Sequence, residues 1–507
     1  MDRQVPWQTV VEAVAAHRFD GRPLTGITED SREVTTGSVF VARRGRTFDG
    51  HAFARTASAA GAALLVAEAA CDAPIPQCVV PSAPSALSRL AALWNGEPAQ
   101  GLRLIGITGT NGKTTTAHLT AAVLKAAGLS AFQLGTLGIW VEGVRLTRHL
   151  LWTTPPATVL HAHLAEMRAG GATAGVLEVS AQALDQRRVD DCPFEVAVVT
   201  GVAREHGEYF PDQEAYRAAK RRLFSAERPA GPPAWSVVHA SIDADPSWRP
   251  HLPRRRLTYG QGDADVRVVA FEPHGLEWAD LVVDVRHGRR QHRLKARLAL
   301  SGAHNVDNAL CAVAVGLAMG VTPAAIVRGL ESVAAIPGRL QHVAREPYRV
   351  IVDYAHNPAG LRAILAAVRR VTPGRLFLVL GARGERDAGK RPLMGAVAAA
   401  LCDGVVLTSD QPAGEDPEAA ALPMRLTAAD CGAPARFVRN RREALESALA
   451  GLRDGDSLVV AGKGDEEWRG DGEEEPGTTD IAVLAALLGR GVEDARAYAS
   501  PAARGVR

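Results

Sequence analysis

Short apolar runs alternate with segments of helical periodicity along most of this chain. The runs at residues 104–107, 175–179 and 196–200 have the length of strands and are mostly apolar, a pattern typical of buried parallel strands. A helix is predicted after the first run, because apolar side chains recur on one of its faces. That face consists of Leu119, Val123, Leu124 and Ala127. Strands that alternate with helices predict an α/β fold with mostly parallel sheets.

The alternation divides into three blocks, which we interpret as domains spanning residues 1–98, 99–335 and 336–507. The first block ends where Asn95-Gly96-Glu97-Pro98 breaks a helix. Its predicted strands are 38–42, 63–66 and 78–80. The third block repeats the alternation, with predicted strands at 349–352, 376–380, 404–407 and 457–460.

Two stretches depart from this alternation. Apolar-rich runs at 281–285 and 294–300 flank a polar turn and predict a β-hairpin near the end of the second block. The acidic stretch 465–475 and the tail after residue 489 carry little apolar pattern. We therefore expect neither of them to contribute to a core.

Composition and charge narrow the class of protein and its partners. Hydrophobic residues make up 47% and charged residues 22% of the 507 residues, as in folded globular chains. Lys and Arg total 58 against 56 for Asp and Glu, so no basic excess indicates a nucleic-acid or anionic-membrane surface. No apolar stretch reaches the roughly 18 residues of a membrane span. We expect neither nucleic acid nor a membrane among the partners.

The cysteines and the N-terminus indicate the compartment. Six cysteines are scattered and form no CxxC pair, so neither a zinc ribbon nor a disulfide scaffold is expected. The first residues lack the apolar core of a signal peptide. Together these features predict a cytoplasmic protein, and we expect a monomer.

A glycine-rich turn between the strand at 104–107 and its helix carries the strongest candidate chemistry. Glycines let backbone N–H groups face an anion, and the helix N-terminus adds partial positive charge. The lysine is expected at β- and γ-phosphate oxygens, and the threonine after it on Mg²⁺. The spacing departs from GxxxxGK[ST], since Ile107 stands five residues before Gly112. The residues expected to contact nucleotide are Gly109, Thr110, Asn111, Gly112, Lys113, Thr114 and Thr115. GTPases, kinases and ligases all use such a loop, so the loop alone names no reaction.

Three motifs that follow one another resemble the Mur ligase family. They are GTNGKTT at 109–115, DYAHNP at 353–358 and GERDAGKRP at 384–392. The similarity is strongest to the MurE-type ligases, which add the third residue of the peptidoglycan stem peptide to UDP-N-acetylmuramoyl-alanyl-glutamate. It covers nearly the whole chain. The resemblance implies three α/β domains: an N-terminal UDP-substrate domain, a central P-loop ATPase domain with a parallel sheet, and a C-terminal Rossmann-like domain for the amino acid.

The same resemblance implies an ATP-dependent acid–amino-acid ligase. A carboxylate of the UDP-linked precursor attacks the γ-phosphate of ATP, and an amino group displaces phosphate from the acyl phosphate. Because anions meet in the first step, Lys113 and Mg²⁺ must neutralise them. Thr114 and Glu178 are expected to hold one Mg²⁺, and His206 and a carbamylated Lys220 a second, since carbamylation turns an ammonium into an oxygen ligand. A solvated helix lysine and a loop histidine are the alternatives for the last two.

Further contacts follow from matching positions. Asn305 and Asn308 are expected near the adenine, and Arg339 and Asp353 on ATP from the third domain; helix-cap or surface roles are the alternatives. Hydroxyls and guanidinium groups suit the oxygens of the UDP-linked precursor. The precursor-binding residues expected on this basis are Ser31, Arg46, Thr47, Thr153, Thr154, Ser180, Gln186 and Arg188.

The acceptor site departs from the family pattern. Diaminopimelate-adding members carry Asp-Asn-Pro-Arg, whose arginine pairs with the distal carboxylate, but Ala413 stands at that arginine's place here. Asp465 replaces the usual histidine and makes the pocket more acidic. We therefore expect a cationic or neutral amine acceptor. The residues expected around it are Arg386, Asp410, Gln411, Gly462 and Glu466.

Three functions remain open at this point. The first is a peptidoglycan ligase that adds a third residue to a UDP-N-acetylmuramoyl-dipeptide. The second is a related amide ligase recruited to specialised metabolism, which the changed acceptor positions favour and the UDP-type N-terminal block disfavours. The third is a silent nucleotide-binding scaffold, which the retained lysines and the candidate metal ligands disfavour.

Overall fold

The computed structural model describes residues 4–46, 48–147, 150–288, 290–469 and 477–491. Three main sheets, of four, eleven and six strands, follow one another along the chain. They fall within the three predicted domains, whose bounds at 98 and 335 stay predictions. No helix within these ranges is long and apolar enough to cross a membrane. All six cysteines are free thiols.

The N-terminal sheet is parallel and has the strand order β3-β4-β5-β6. The elements of this part of the chain are α1 (Trp7–Ala15), β1 (Arg18–Phe19), β2 (Arg22–Pro23), β3 (Gly26–Thr28), β4 (Ser38–Ala42), α2 (Ala54–Ala59), β5 (Leu64–Ala67), β6 (Gln77–Val79) and α3 (Ala83–Trp94), of which β1 and β2 pair with each other in a separate small sheet. Helix α3 begins after Ser82, whose hydroxyl accepts from the N–H of Ser85 at 3.3 Å and caps the first turn. The three predicted strands of this block are confirmed.

The central sheet has the order β10-β9-β8-β11-β7-β12-β13-β14-β15-β16-β17. Its strands are β7 (Arg103–Thr108), β8 (Ala131–Gly135), β9 (Gly138–Val141), β10 (Val144–Thr147), β11 (Ala174–Glu178), β12 (Phe194–Val199), β13 (Trp235–His239), β14 (Arg256–Gly260), β15 (Val266–His274), β16 (Trp278–His287) and β17 (Arg290–Leu298). Its helices are α4 (Lys113–Ala126), α5 (Ala157–Ala169), α6 (Ala181–Asp185), α7 (Gln213–Arg221), α8 (Ala240–Asp243), α9 (Ala303–Ala318) and α10 (Pro323–Glu331).

The middle of this sheet is parallel and both of its edges are antiparallel. Strands β8, β11, β7, β12, β13 and β14 are parallel neighbours, so their carboxyl ends meet at one edge. Strands β16 and β17 form the predicted hairpin. Helix α4 buries Leu119, Val123 and Leu124 as predicted, but Ala127 is exposed because the helix ends at Ala126. Ala127 was therefore assigned to the apolar face wrongly.

The C-terminal sheet has the order β18-β19-β23-β20-β21-β22 and is parallel except for β18. Its strands are β18 (Gln341–Ala344), β19 (Arg349–Asp353), β20 (Leu376–Arg383), β21 (Gly404–Asp410), β22 (Ala435–Phe437) and β23 (Ser457–Ala461). Its helices are α11 (Pro358–Arg369), α12 (Lys390–Leu401), α13 (Pro417–Asp430), α14 (Arg441–Leu449) and α15 (Asp480–Leu487). The four predicted strands are confirmed.

The acidic segment after β23 contributes to this core, contrary to the expectation from its composition. Trp468 is 1% exposed and packs in the apolar cluster on the α15 side of the sheet. Its indole N–H donates to the carboxylate of Asp480 at 3.0 Å, and Arg441 forms a buried ion pair with the same carboxylate. One large aromatic ring therefore anchors a segment whose average composition is polar.

Candidate active site

The predicted phosphate loop lies at the carboxyl end of β7 and leads into α4. Gly109 has φ of 146°, and a Cβ atom there would stand 1.9 Å from the hydroxyl of Thr200, so only glycine fits. The ammonium of Lys113 donates to the carbonyl oxygens of Gly109 and Thr110, both at 2.9 Å. Burial lowers the pKa of Lys113, while Glu178 and Glu205 oppose that shift.

Glu178 ends β11 and lies buried beside this loop. Its carboxylate accepts from the hydroxyl of Thr114 at 2.9 Å and from the N–H and hydroxyl of Thr136, each at 3.2 Å. Burial raises the pKa of Glu178, against the opposing effect of Lys113. Carboxylate and hydroxyl oxygens are hard donors that suit Mg²⁺, so this group of side chains fits the expected cation.

Lys220 is buried under the loop and is not the solvated helix lysine of the alternative interpretation. Its ammonium donates to the carbonyl oxygen of Gly109 at 2.9 Å and lies 4.4 Å from the centre of the Tyr216 ring. The Tyr216 hydroxyl is 3.1 Å from that of Thr110. Burial, and then the charge of Lys113, hold the pKa of Lys220 well below its usual range.

His206 lies beside this aromatic ring in a left-handed backbone conformation, with φ of 59°. Its Nδ1 is 3.1 Å from the carboxylate of Glu208. Arg386, from the third domain, donates to the same oxygen at 3.1 Å. Burial favours the neutral form of Glu208, but His206 and Arg386 outweigh it and lower the pKa of Glu208 to about 2. Arg386 therefore lies against the candidate metal-binding loop, where the sequence did not place it.

The third domain reaches the phosphate loop through an arginine. The guanidinium of Arg339 donates to the hydroxyl of Thr114 at 3.0 Å and lies 4.1 Å from the centre of the Tyr354 ring. Asp353 instead accepts from the N–H groups of Leu340 and Ala355, at 2.7 and 2.8 Å. Arg339 thus contacts the loop itself, whereas Asp353 fixes the backbone that carries Arg339.

A buried carboxylate, Glu205, joins the central and third domains. It accepts from the side-chain amide of Asn357 at 3.0 Å and from Lys390 at 3.3 Å, and it lies 3.2 Å from Nε2 of His356. The Asn357 amide also donates to the side chain of Asn111 in the phosphate loop, at 2.9 Å. Three side chains of the third domain therefore converge on one carboxylate of the central domain.

The two predicted adenine-side asparagines lie at the start of α9, behind the loop. Asn308 accepts from the hydroxyl of Thr116 at 3.3 Å and donates to the side chain of Asn305 at 3.0 Å. Asn305 donates to the carbonyl oxygen of Ser301 at 2.9 Å. The bond to Thr116 joins α9 to α4, and contact with a nucleotide base stays a prediction.

Most of the predicted precursor-binding residues lie together where the N-terminal and central domains meet. Thr154 donates to the carbonyl of Glu178 at 2.8 Å and accepts from the N–H of Ser180 at 3.0 Å. Arg188 donates to Thr154 and to Gln186. The remaining contacts join Gln186 to Tyr209, Arg46 to Tyr209 and Glu208, and Thr153 to Thr136. Ser31 lies in the turn after β3, and Thr47 lies outside the described residues.

All of the predicted acceptor residues except Arg386 gather at the carboxyl ends of β21 and β23, beside the end of β20. Asp410 is buried next to Gly462, where a Cβ atom would stand 3.2 Å from Oδ2 of Asp410. Burial opposes ionisation of Asp410, but Lys463 at 3.2 Å and Arg383 outweigh it and lower the pKa of Asp410 to about 2. Glu466 accepts from Arg383 and lies near Asp410.

The three domains and their motifs match known families in the same order. Residues 23–94 match the Mur ligase family catalytic domain, residues 107–316 the Mur ligase middle domain, and residues 338–464 the Mur ligase glutamate ligase domain. These matches together cover most of the chain. The chain belongs to the Mur ligase family.

Individual relatives agree with this assignment. UDP-N-acetylmuramoyl-L-alanyl-D-glutamate–2,6-diaminopimelate ligase of Gloeobacter violaceus is 39% identical over 482 residues, which are 92% of this chain and 95% of the relative. The enzyme of that name from Bacillus licheniformis is 36% identical over 453 residues, 88% of this chain and 91% of the relative. A solved structure of that ligase has a TM-score of 0.63 and 28% identity, over 94% of this chain and 98% of the other.

Several residues of this Mur ligase site were not found from the sequence. Thr136 follows β8 and Glu205 follows β12, so both stand after parallel strands, and that position was the available signal. Arg383 ends β20 immediately before the motif at 384–392 and three residues before Arg386, and its position next to that motif was the available signal. Glu208 and Tyr354 carried no separate signal, because Glu208 pairs with Arg386 of another domain and Tyr354 donates to Glu466, which is 112 residues away in the same domain.

Proposed function

We propose that this Mur ligase joins an amino acid to the terminal carboxylate of UDP-N-acetylmuramoyl-alanyl-glutamate, with ATP cleavage and an acyl-phosphate intermediate. One observation carries the proposal: Lys113, Lys220, Glu178 and Arg339 all converge on the phosphate loop. Cations on both sides of the loop suit a reaction in which a carboxylate oxygen approaches a phosphate.

The basic side chains have distinct tasks in this reaction. Lys113 neutralises charge on the phosphates, because its ammonium lies inside the loop. Arg339 adds a guanidinium from the third domain at Thr114, so that positive charge at the site is completed when the domains meet. Arg46 and Arg188 hold anionic oxygens of the precursor.

Mg²⁺, when bound, supplies further positive charge to the phosphates and the attacking carboxylate. Thr114, Thr136 and Glu178 would hold one ion, and His206 and a carbamylated Lys220 another. The low pKa of Lys220 supports carbamylation. An uncharged amine is nucleophilic: its nitrogen bonds to the carbon of CO₂ and loses a proton, which leaves a carboxylate-like group.

The relatives point to the substrates. Their names specify UDP-N-acetylmuramoyl-L-alanyl-D-glutamate and 2,6-diaminopimelate, and we propose the same precursor here, handled by a monomer in the cytoplasm. Recruitment to specialised metabolism is not favoured, because identity to these relatives extends through the N-terminal domain. A silent scaffold is disfavoured by the intact lysines and carboxylate at the loop.

The proposal is tested by phosphate release from ATP in the presence of UDP-N-acetylmuramoyl-alanyl-glutamate and a panel of amino acids. We expect release that requires both the precursor and an amine, together with a product heavier than the precursor by one amino-acid residue. Release that ignores the precursor, or none with any amine of the panel, would overturn the proposal.

A further inference from the structure

A cavity of about 380 Å³ lies where the N-terminal and central domains meet, away from the phosphate loop. It is bounded by α3 and the turn after it on one side, and by the segments before β12 and β13 on the other. These segments lead into the amino ends of β7 and β12, whereas the phosphate loop leaves β7 at its carboxyl end. The cavity is therefore separate from the nucleotide site, and its volume is that of a small-molecule site.

The wall of this cavity combines a large apolar part with a few charged groups. The apolar part consists of small aliphatic side chains from both domains: Ala92, Ala99, Pro193, Pro229 and Ala230. The charged side chains are Arg89 and Glu97 beside α3, and Asp191 before β12. Such a wall suits a small molecule that has an aliphatic body and one polar end.

The guanidinium of Arg89 lies between two carboxylates but serves them unequally. Its Nη1 donates to Oε1 of Glu97 at 2.6 Å and stays 3.7 Å from Oδ1 of Asp191, which is beyond hydrogen-bond distance. The side-chain amide of Gln100 donates to the same oxygen of Glu97 at 3.0 Å. Both donors of the cavity wall are therefore directed to Glu97 instead of Asp191.

Asp191 is buried at the domain boundary with too few donors. Its side chain is 6% exposed, and its Oδ2 has no hydrogen-bond partner among the residues described. Its backbone N–H donates to the hydroxyl of Ser88 on α3 at 3.2 Å, which fixes its position between the domains. Burial raises the pKa of Asp191, and Ser88 and Arg89 oppose that shift only in part. An unpaired buried carboxylate oxygen is costly, so Asp191 marks a place for a donor.

Other basic groups near Asp191 are engaged elsewhere or uncharged. Arg187 donates to Asp190 at 3.2 Å, and Arg228 donates through Nη2 to two backbone carbonyl oxygens, each at 2.7 Å. Burial, and then the charge of Arg89, lower the pKa of His161 to about 4, so this histidine is neutral. In the cavity wall, two carboxylates therefore face a single guanidinium.

We propose that this cavity binds a small organic monocation, an alkylammonium that donates to Asp191 and lays its aliphatic body against the alanine and proline wall. One positive charge balances the wall, because Asp191 and Glu97 together carry one negative charge more than Arg89 neutralises. An anion would leave the wall unbalanced. The bound cation bridges the N-terminal and central domains, and its binding requires neither ATP nor the UDP-linked precursor.

Cyclohexylmethylammonium tests this inference, with cyclohexylmethanol as its uncharged isostere. Titration calorimetry on the full chain should give one site per molecule and an affinity at least about tenfold higher for the ammonium than for the alcohol, as for a charged hydrogen bond. Asp191→Asn keeps the size of the side chain but removes its charge. In this variant the advantage of the ammonium should fall below about threefold, because a neutral acceptor remains.

Asp190→Asn is the matched control, because Asp190 is also buried and already accepts from Ser85 and Arg187. It should keep the advantage of the ammonium seen in the wild type. The inference would be overturned by equal affinities of the wild type for both compounds, by an unchanged advantage in Asp191→Asn, or by an equal loss in the two variants. No binding of the ammonium at up to about 10 mM would overturn it as well, since eight non-hydrogen atoms suffice for millimolar affinity. Thermal unfolding of each variant verifies that it is folded.

Discussion

The ammonium groups of Lys113 and Lys220 donate to the same carbonyl oxygen, that of Gly109, each at 2.9 Å. Two amines this close oppose each other's protonation. Burial lowers the pKa of both lysines and Glu205 opposes that shift in both, but Glu178 supports the charged form of Lys113, whereas the charge of Lys113 lowers the pKa of Lys220 further, to well below its usual range. The loop therefore contains one lysine suited to carry charge and one suited to react as a free amine.

Removal of the charged lysine should abolish turnover. We expect Lys113→Ala to lower kcat by about 10²–10³-fold or more, the effect of removing a principal electrostatic contact in the transition state. Lys125→Ala is the control, because Lys125 is exposed on the same helix and should leave the rate unchanged. The measurement is precursor-dependent phosphate release from ATP, and similar rates for both variants would contradict the assignment of Lys113.

The activity lost when the Lys220 amine is removed should be restored in part by an external carboxylate. Lys220→Ala should lose most activity and regain part of it with formate or acetate, because these supply the oxygen atoms of the carbamate. The wild type should slow in CO₂-depleted buffer and recover with bicarbonate. Lys113→Ala should not respond to formate. Failure of the carboxylates to rescue Lys220→Ala, together with a rate independent of CO₂, would exclude carbamylation.

The low pKa of Lys220 also predicts how stability depends on pH. Between its folded pKa and about 10.4, the unfolded chain binds a proton that the folded protein lacks, so this lysine makes the free energy of unfolding rise with pH. The free energy of unfolding of the wild type, relative to that of Lys220→Met, should rise by up to about 1.4 kcal/mol per pH unit. Urea unfolding of both proteins from pH 7 to 9, without CO₂, measures the slope, and a constant difference would refute an uncharged Lys220.

Replacement of Arg339 should lower the efficiency with which ATP is used and leave the affinity for the precursor unchanged. Arg339→Ala removes the contact with Thr114 and should lower kcat/KM for ATP by about 10–100-fold, as expected for a charged hydrogen bond. Precursor affinity without ATP should stay within about twofold. Arg349→Ala is the control, since Arg349 donates to Val371 within the third domain. A loss of precursor binding in Arg339→Ala would indicate a general structural role instead.

The alternation of apolar runs predicted β7, β11 and β12, four strands of the third domain and the hairpin, because burial on both faces of a sheet leaves a local pattern. It missed the parallel strands β8, β13 and β14 of the central sheet. It failed for Trp468, since one ring in a polar segment has no periodicity. The same alternation did not predict the antiparallel edge of the central sheet beside β8, because its strands β9 and β10 are short.

For the site, spacing identified residues that act within one element, such as Lys113 and Thr114. It could not reveal that Arg386 faces Glu208 or that Arg383 faces Glu466, because each contact joins segments far apart in sequence. Two arginines three positions apart on one strand end and its loop look equivalent in the sequence. The folded structure assigns them to different partners: Arg383 to Glu466 within the third domain, and Arg386 to Glu208 of the central domain.

Glu205 receives His356, Asn357 and Lys390 from the third domain at a single carboxylate. Any outward rotation of that domain removes all three together and leaves a formerly enclosed anion to be rehydrated. Burial of this anion is costly once its partners are gone, so the three contacts together favour the orientation in which the third domain covers Glu205.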